Sequence, residues 1–183
     1  MQPAAASERS RERVEDVLAD HRERFDEVSV GSKEWTVDAE TYADYVGRVA
    51  RGTLGGAGTW VTRRDGRVLF VNECDRDTWS EPSGHHEPGE SLVATAIRET
   101  REETGLEVDV DGVGIMTHLR ITTTDDERPP IHRLLAVFEA RPVGGTLRPH
   151  PDEIDAVRWF DRHPRHLLYE ELRELSIPAF LDA

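Results

Sequence analysis

The residues best able to do chemistry lie between Gly84 and Leu106, in the run GHHEPGESLVATAIRETREETGL. It holds five glutamates and two arginines. The segment from Arg98 to Glu103 reads as helix, and residues three and four apart on a helix share a face. Glu99, Glu102 and Glu103 are therefore expected to point the same way. Like charges placed together repel and lower helix stability unless something neutralises them. A hard divalent cation does so, because Mg²⁺ and Mn²⁺ prefer carboxylate oxygens. The competing reading is a solvated acidic helix, the ordinary meaning of a charge run.

The spacing separates the two. Gly84, Glu90, Arg98, Glu99, Glu102, Glu103, Gly105 and Leu106 fall at the fixed positions of the Nudix box, and Trp79 and Pro82 lead into it. Over residues 57 to 175 the chain resembles Nudix hydrolases. It departs at Thr100, polar where the family is apolar, and at Ser83, where many members carry a second glycine. The resemblance implies an α+β fold, an α/β/α sandwich around a mixed sheet. It implies a metal-dependent hydrolase, using Mg²⁺ or Mn²⁺, that cleaves the diphosphate bond of a small nucleoside diphosphate derivative. A nucleotide-sensing module that keeps the fold without turnover is the alternative. Such modules often lose box glutamates, and this chain keeps them all.

Carried over position by position, the metal ligands are Gly84 through its carbonyl, Glu99, Glu102 and Glu103. Glu99 is either a ligand or the base that takes a proton from water. Arg98 pairs with Glu90 or a neighbouring glutamate and orients it. Glu90 reads as structural, an acid favoured near a helix N-terminus. Glu153, in a loop before a tryptophan-bearing strand, is a further candidate for ligand or base. His85 and His86 lie beside the proposed metals but read as loop positions, since hard ions gain little from imidazole. Trp35, Trp60, Trp79 and Phe138 can stack on a base, although strand aromatics are more often core. The substrate class stays open, because Ile121 stands where ADP-ribose hydrolases carry proline.

Composition bounds the rest. A net charge of −14 opposes a grip on long nucleic acid, which runs on an excess of Lys and Arg. No apolar run approaches a membrane span, and the N-terminus lacks the apolar stretch of a secretory signal. Cys74 is the single cysteine, so no internal disulfide forms. A cytoplasmic protein acting on a small phosphorylated substrate is expected. Lys33 is the only lysine, a bias shared by salt-loving proteins and by GC-rich genomes.

These residues must be positioned by a surrounding scaffold. Residues 7 to about 27 follow a helical period through Val14, Val17, Leu18, His21 and Phe25. Residues 34–37 look extended, and Asp38 can cap a second helix bearing Tyr42, Tyr45, Val46 and Val49. Glycines 52, 55, 56 and 58 then mark a boundary, giving a helical extension at 1–55 and a catalytic domain at 56–183. The extension can pack on that domain, cover the substrate or form a homodimer contact. Strands at 59–62 and 68–73 are expected as a hairpin around Arg64-Asp65-Gly66-Arg67. After the box come a hairpin of 113–122 with 131–140, tipped by Asp125, Asp126 and Glu127, a strand at 157–160 and a closing helix at 167–175. Gly105 suits a helix C-terminus.

Overall fold

The computed structural model describes residues 1–25, 28–124 and 128–178. The expected tip residues Asp125, Asp126 and Glu127 lie outside the described residues. Helix α1 (Pro3–Arg24) is followed by β1 (Val30–Val37), α2 (Ala39–Arg51), β2 (Gly56–Val61), β3 (Val68–Glu73) and β4 (Ser83–His85). Then come α3 (Leu92–Thr104), β5 (Leu106–Thr123), β6 (Ile131–Gly145), β7 (Ile154–Phe160) and a 3₁₀ turn at Glu170–Glu174. The fold is α+β with a mixed sheet, as expected.

The large sheet has the order β1-β5-β6-β2-β4. Parallel pairs β1/β5 and β2/β6 flank the long antiparallel pair β5/β6. Opposed residues share a face, so Met116, Leu134, Ala136 and Phe138 look one way. Val14 and Val17 of α1 and Leu92, Val93 and Ala96 of α3 cover them in one core cluster. The other face carries Ile115 and Val137. They pack against Trp60, Phe70, Leu167, Leu172 and Leu175. Burying both faces is what allows a mixed sheet at the centre of the molecule.

Local chemistry sets the helix ends that matter. Asp38 Oδ1 accepts the Thr41 N–H at 2.7 Å and starts α2. Ser91 Oγ accepts the Ala94 N–H at 3.1 Å and starts α3. Gly105 ends α3 in the left-handed region with φ of 72°. A Cβ there would also stand 2.5 Å from the Thr146 carbonyl oxygen, so glycine is required twice over.

Three expectations need correction. The chain does turn at 63–67, with the Arg63 N–H donating to the Arg67 carbonyl, but β2 and β3 do not form a hairpin. A single bridge joins Thr62 to Val68, and β3 then pairs with β7 in a separate two-stranded sheet. The reason is that β2 already has β6 on one edge and β4 on the other. The closing helix shrinks to the 3₁₀ turn, because Leu167 is committed to a bridge with Trp79. Strands β5 and β6 run well past the expected limits, since bulges absorb Asp111 and Gly114 without ending the ladder.

Candidate active site

The box folds as strand, loop and helix against the β2 edge. Ser83, Gly84 and His85 form β4, antiparallel to β2, and residues 86–91 lead as a loop into α3. A cavity of about 800 Å³ opens beside it on the sheet face away from α1. Glu99, Glu103, Gly84 and Glu153 all line it.

Glu103 is buried, and its Oε2 accepts the Ser83 N–H at 3.0 Å. Burial, opposed by that hydrogen bond, pushes its carboxyl up to about 9. Glu99 is half-buried and shifted upward by the same cause, with Arg98 opposing. At Gly84 the fit is closest: a Cβ would lie 2.2–2.4 Å from the Glu99 carboxylate. Only glycine lets that carboxylate reach the backbone there.

Glu102 behaves differently. It is about half exposed and does not line the cavity. Neighbouring helical residues are turned by 100°, and here Glu103 faces inward while Glu102 turns to Arg98 and solvent. Glu99 and Glu103, one turn apart, share the inner face.

Arg98 organises the rest. Its Nε donates to Glu90 Oε1 at 2.8 Å and its Nη2 to Glu90 Oε2 at 3.1 Å, a bidentate pair. Nη1 reaches both Glu99 and Glu102 at 2.9 Å, and Nη2 also reaches the His85 carbonyl. The Arg98 hydrogen bonds, backed by one from Thr95, hold Glu90 down to about 2. Glu90 thus braces Arg98 from outside the cavity.

His86 is buried and bonded to Thr95 Oγ1 at 3.1 Å, which gives it a structural partner. Glu153 stays exposed, 3.9 Å from His150, with its carboxylate on the cavity side near Glu99. Trp60 and Phe138 are core, whereas Trp35 is 40% exposed on the cavity rim. The three buried threonines of α3, Thr95, Thr100 and Thr104, have their hydroxyls hydrogen-bonded. Thr100 Oγ1 donates to the Ala96 carbonyl at 2.7 Å and meets Thr59 Oγ1 at 2.6 Å.

Two cavity residues escaped the sequence reading. Glu81 is buried, its Oε2 has no hydrogen-bond partner, and burial raises its carboxyl to about 8. An acid directly before Pro82 was the available signal. Arg133 lies on β6 and nothing in its local sequence marks it.

Do these residues suit a divalent cation? Among the described residues, no three acidic, His or Cys side chains converge as a metal cluster. Mg²⁺, however, keeps several waters and is held through one or two carboxylates. Glu99, Glu103 and the Gly84 backbone form such a hard-oxygen set, and the cradle at Gly84 has no room for a Cβ. The set fits.

The NUDIX domain family model matches residues 53–175, and the chain belongs to that family. Phosphatase NudJ of Escherichia coli strain K12 is 34% identical over 101 residues, which is 54% of this chain and 63% of the relative. The chain therefore spans somewhat under two thirds of the curated relatives it matches. In structure it is similar to a MutT NUDIX hydrolase from Burkholderia pseudomallei, with a TM-score of 0.50 and 24% identity over 63% of this chain and 90% of that one. A UDP-X diphosphatase gives a TM-score of 0.50 at 16% identity over 92% and 88% of the two chains. These likenesses concern the fold. No helix among the described residues is long and apolar enough to cross a membrane.

Proposed function

We propose that the chain is a metal-dependent pyrophosphohydrolase that cleaves the diphosphate linkage of a small nucleoside diphosphate derivative. One observation carries the reading: Glu99 meets the glycine-only position Gly84, and Glu103 accepts the neighbouring Ser83 N–H, at the wall of a cavity large enough for a nucleotide. The curated relative named a phosphatase supports hydrolysis as the reaction class.

Glu99, Glu103 and the Gly84 carbonyl would hold Mg²⁺ or Mn²⁺, with Glu102 reaching an ion only if Arg98 releases it. Such an ion supplies charge neutralisation of phosphate oxygens and a lowered pKa for bound water. The protein's own residues do the remainder. Arg98 fixes the Glu99 rotamer, so the carboxylate is oriented before substrate arrives. In the reaction a water oxygen bonds phosphorus, the bridging P–O bond breaks, and the second phosphate leaves with that oxygen. The water's proton passes to a carboxylate. Glu99, raised by burial, suits that role, and Glu153 is the second candidate. Residues 1–55 act as an extension that lends Lys33 and Trp35 to the cavity rim of the domain at 56–183.

The test is a screen of nucleoside diphosphate compounds with Mg²⁺ and Mn²⁺, reading phosphate or nucleotide release. Turnover of at least one class that stops on chelation is expected. Binding across the screen without any turnover would select the nucleotide-sensing reading.

A further inference from the structure

The cavity wall is dominated by glutamates, yet its lining also includes three Lys or Arg side chains, Lys33, Arg76 and Arg133. Two of these are already neutralised. Lys33 Nζ lies 2.8 Å from Glu171, and Arg76 Nε lies 2.8 Å from Glu73. Arg133 has no ion pair among the described residues. Its Nε is enclosed without a hydrogen-bond partner, its Nη2 makes a long contact, 3.4 Å, to the Gly55 carbonyl, and its other side-chain partner is the neutral hydroxyl of Tyr45.

An enclosed guanidinium N–H without a partner is costly, because water is lost and nothing replaces it. Burial pushes its pKa down, and nearby Arg48 adds to that. The fold does not need a cation at this point of β6, where Leu135 and Val137 continue the same face as apolar residues. The position is informative. The point where a Cβ on Gly56 would stand is 3.1 Å from the Gly84 carbonyl oxygen and 3.4 Å from Arg133 Nη2. The fork, without a carboxylate partner among the described residues, thus sits next to the proposed metal-binding backbone, on the cavity side.

We propose that Arg133 is a substrate-binding residue that takes a phosphate group of the diphosphate through its guanidinium fork. This rests on the diphosphate-hydrolase reading above. Planar, bidentate donation matches phosphate oxygens, which a lysine point charge does not reproduce. The arriving anion supplies the counter-charge that no described residue gives this guanidinium.

Calorimetric titration with methylenediphosphonate in Mg²⁺ tests this, since its P–C–P bridge is not hydrolysed. Arg133→Met is expected to weaken binding at least tenfold relative to the wild type. Arg133→Lys should fall between the two. The melting temperature of unliganded Arg133→Met should equal or exceed the wild-type value, because an unpaired charge has been removed. A lower melting temperature with unchanged binding would mean that Arg133 is structural, and overturns the proposal. A wild type that turns over nucleoside diphosphates, but binds the probe no better than Arg133→Met does, overturns it alone. A wild type that neither binds the probe nor hydrolyses any diphosphate overturns both this inference and the function it rests on.

Discussion

Glu103→Gln separates the metal-ligand reading from a structural one. In the metal-free protein Glu103 is raised to about 9 by burial, so near neutral pH it is protonated. Glutamine copies that neutral acid in shape, and its Oε1 can still accept the Ser83 N–H. Metal-free stability should therefore be unchanged to within about 1 kcal/mol, as expected for a swap that opens no cavity and strands no donor. What glutamine cannot do is ionise for a cation. At a concentration about 100 times its Kd, a bound ligand stabilises the fold by about 2.7 kcal/mol. For a chain of this size that is a rise in Tm of roughly 5–10 °C. The wild type should show this rise on adding Mg²⁺ or Mn²⁺, and Glu103→Gln should lose most of it. Turnover should fall roughly 10²- to 10³-fold or more, the effect of about 3–5 kcal/mol lost in the transition state. The assays are thermal melts with and without metal, and phosphate release at limiting Mg²⁺. Near wild-type turnover in Glu103→Gln would refute the assignment, as would an intact metal-induced rise in Tm.

Other outcomes follow from the same geometry. Gly84→Ala places a methyl on the Glu99 carboxylate, a flexible group that can move aside; circular dichroism and Tm should barely change while kcat falls at least about tenfold through the lost orientation. Thr100→Val leaves the buried Thr59 hydroxyl without its partner and should cost about 1–3 kcal/mol in urea unfolding. The double variant Thr59→Val/Thr100→Val should cost less than the sum of the singles, and additivity would show that the pair does not interact. Glu90 is held at about 2, below its usual value, so its contribution to stability is present above pH 4.5 and is lost as pH falls towards 2. Glu90→Gln should flatten the stability curve between pH 4.5 and 2, and a variant curve parallel to the wild type would contradict the Arg98 pairing.

The helix of the candidate site was legible from local chemistry alone. Ser91 and Gly105 bracket a helix by local hydrogen bonding and backbone freedom, and the period of 3.6 put Glu99 and Glu103 on one face. Asp38 capped α2 for the same local reason. Pairing between distant strands is not encoded locally, and there the tertiary structure decided. Whether β3 joined β2 or β7 depended on which edges of β2 were already occupied. Thr100 read as a defect on an apolar stripe until Thr59, 41 residues earlier, supplied its partner. Glu102 and Glu103 looked equivalent in a string of letters, but Ser83 and the cavity wall took one while Arg98 and solvent took the other. Arg133 carried no signal at all, because a lone arginine in a strand gains meaning only when the fold encloses its Nε without a hydrogen-bond partner.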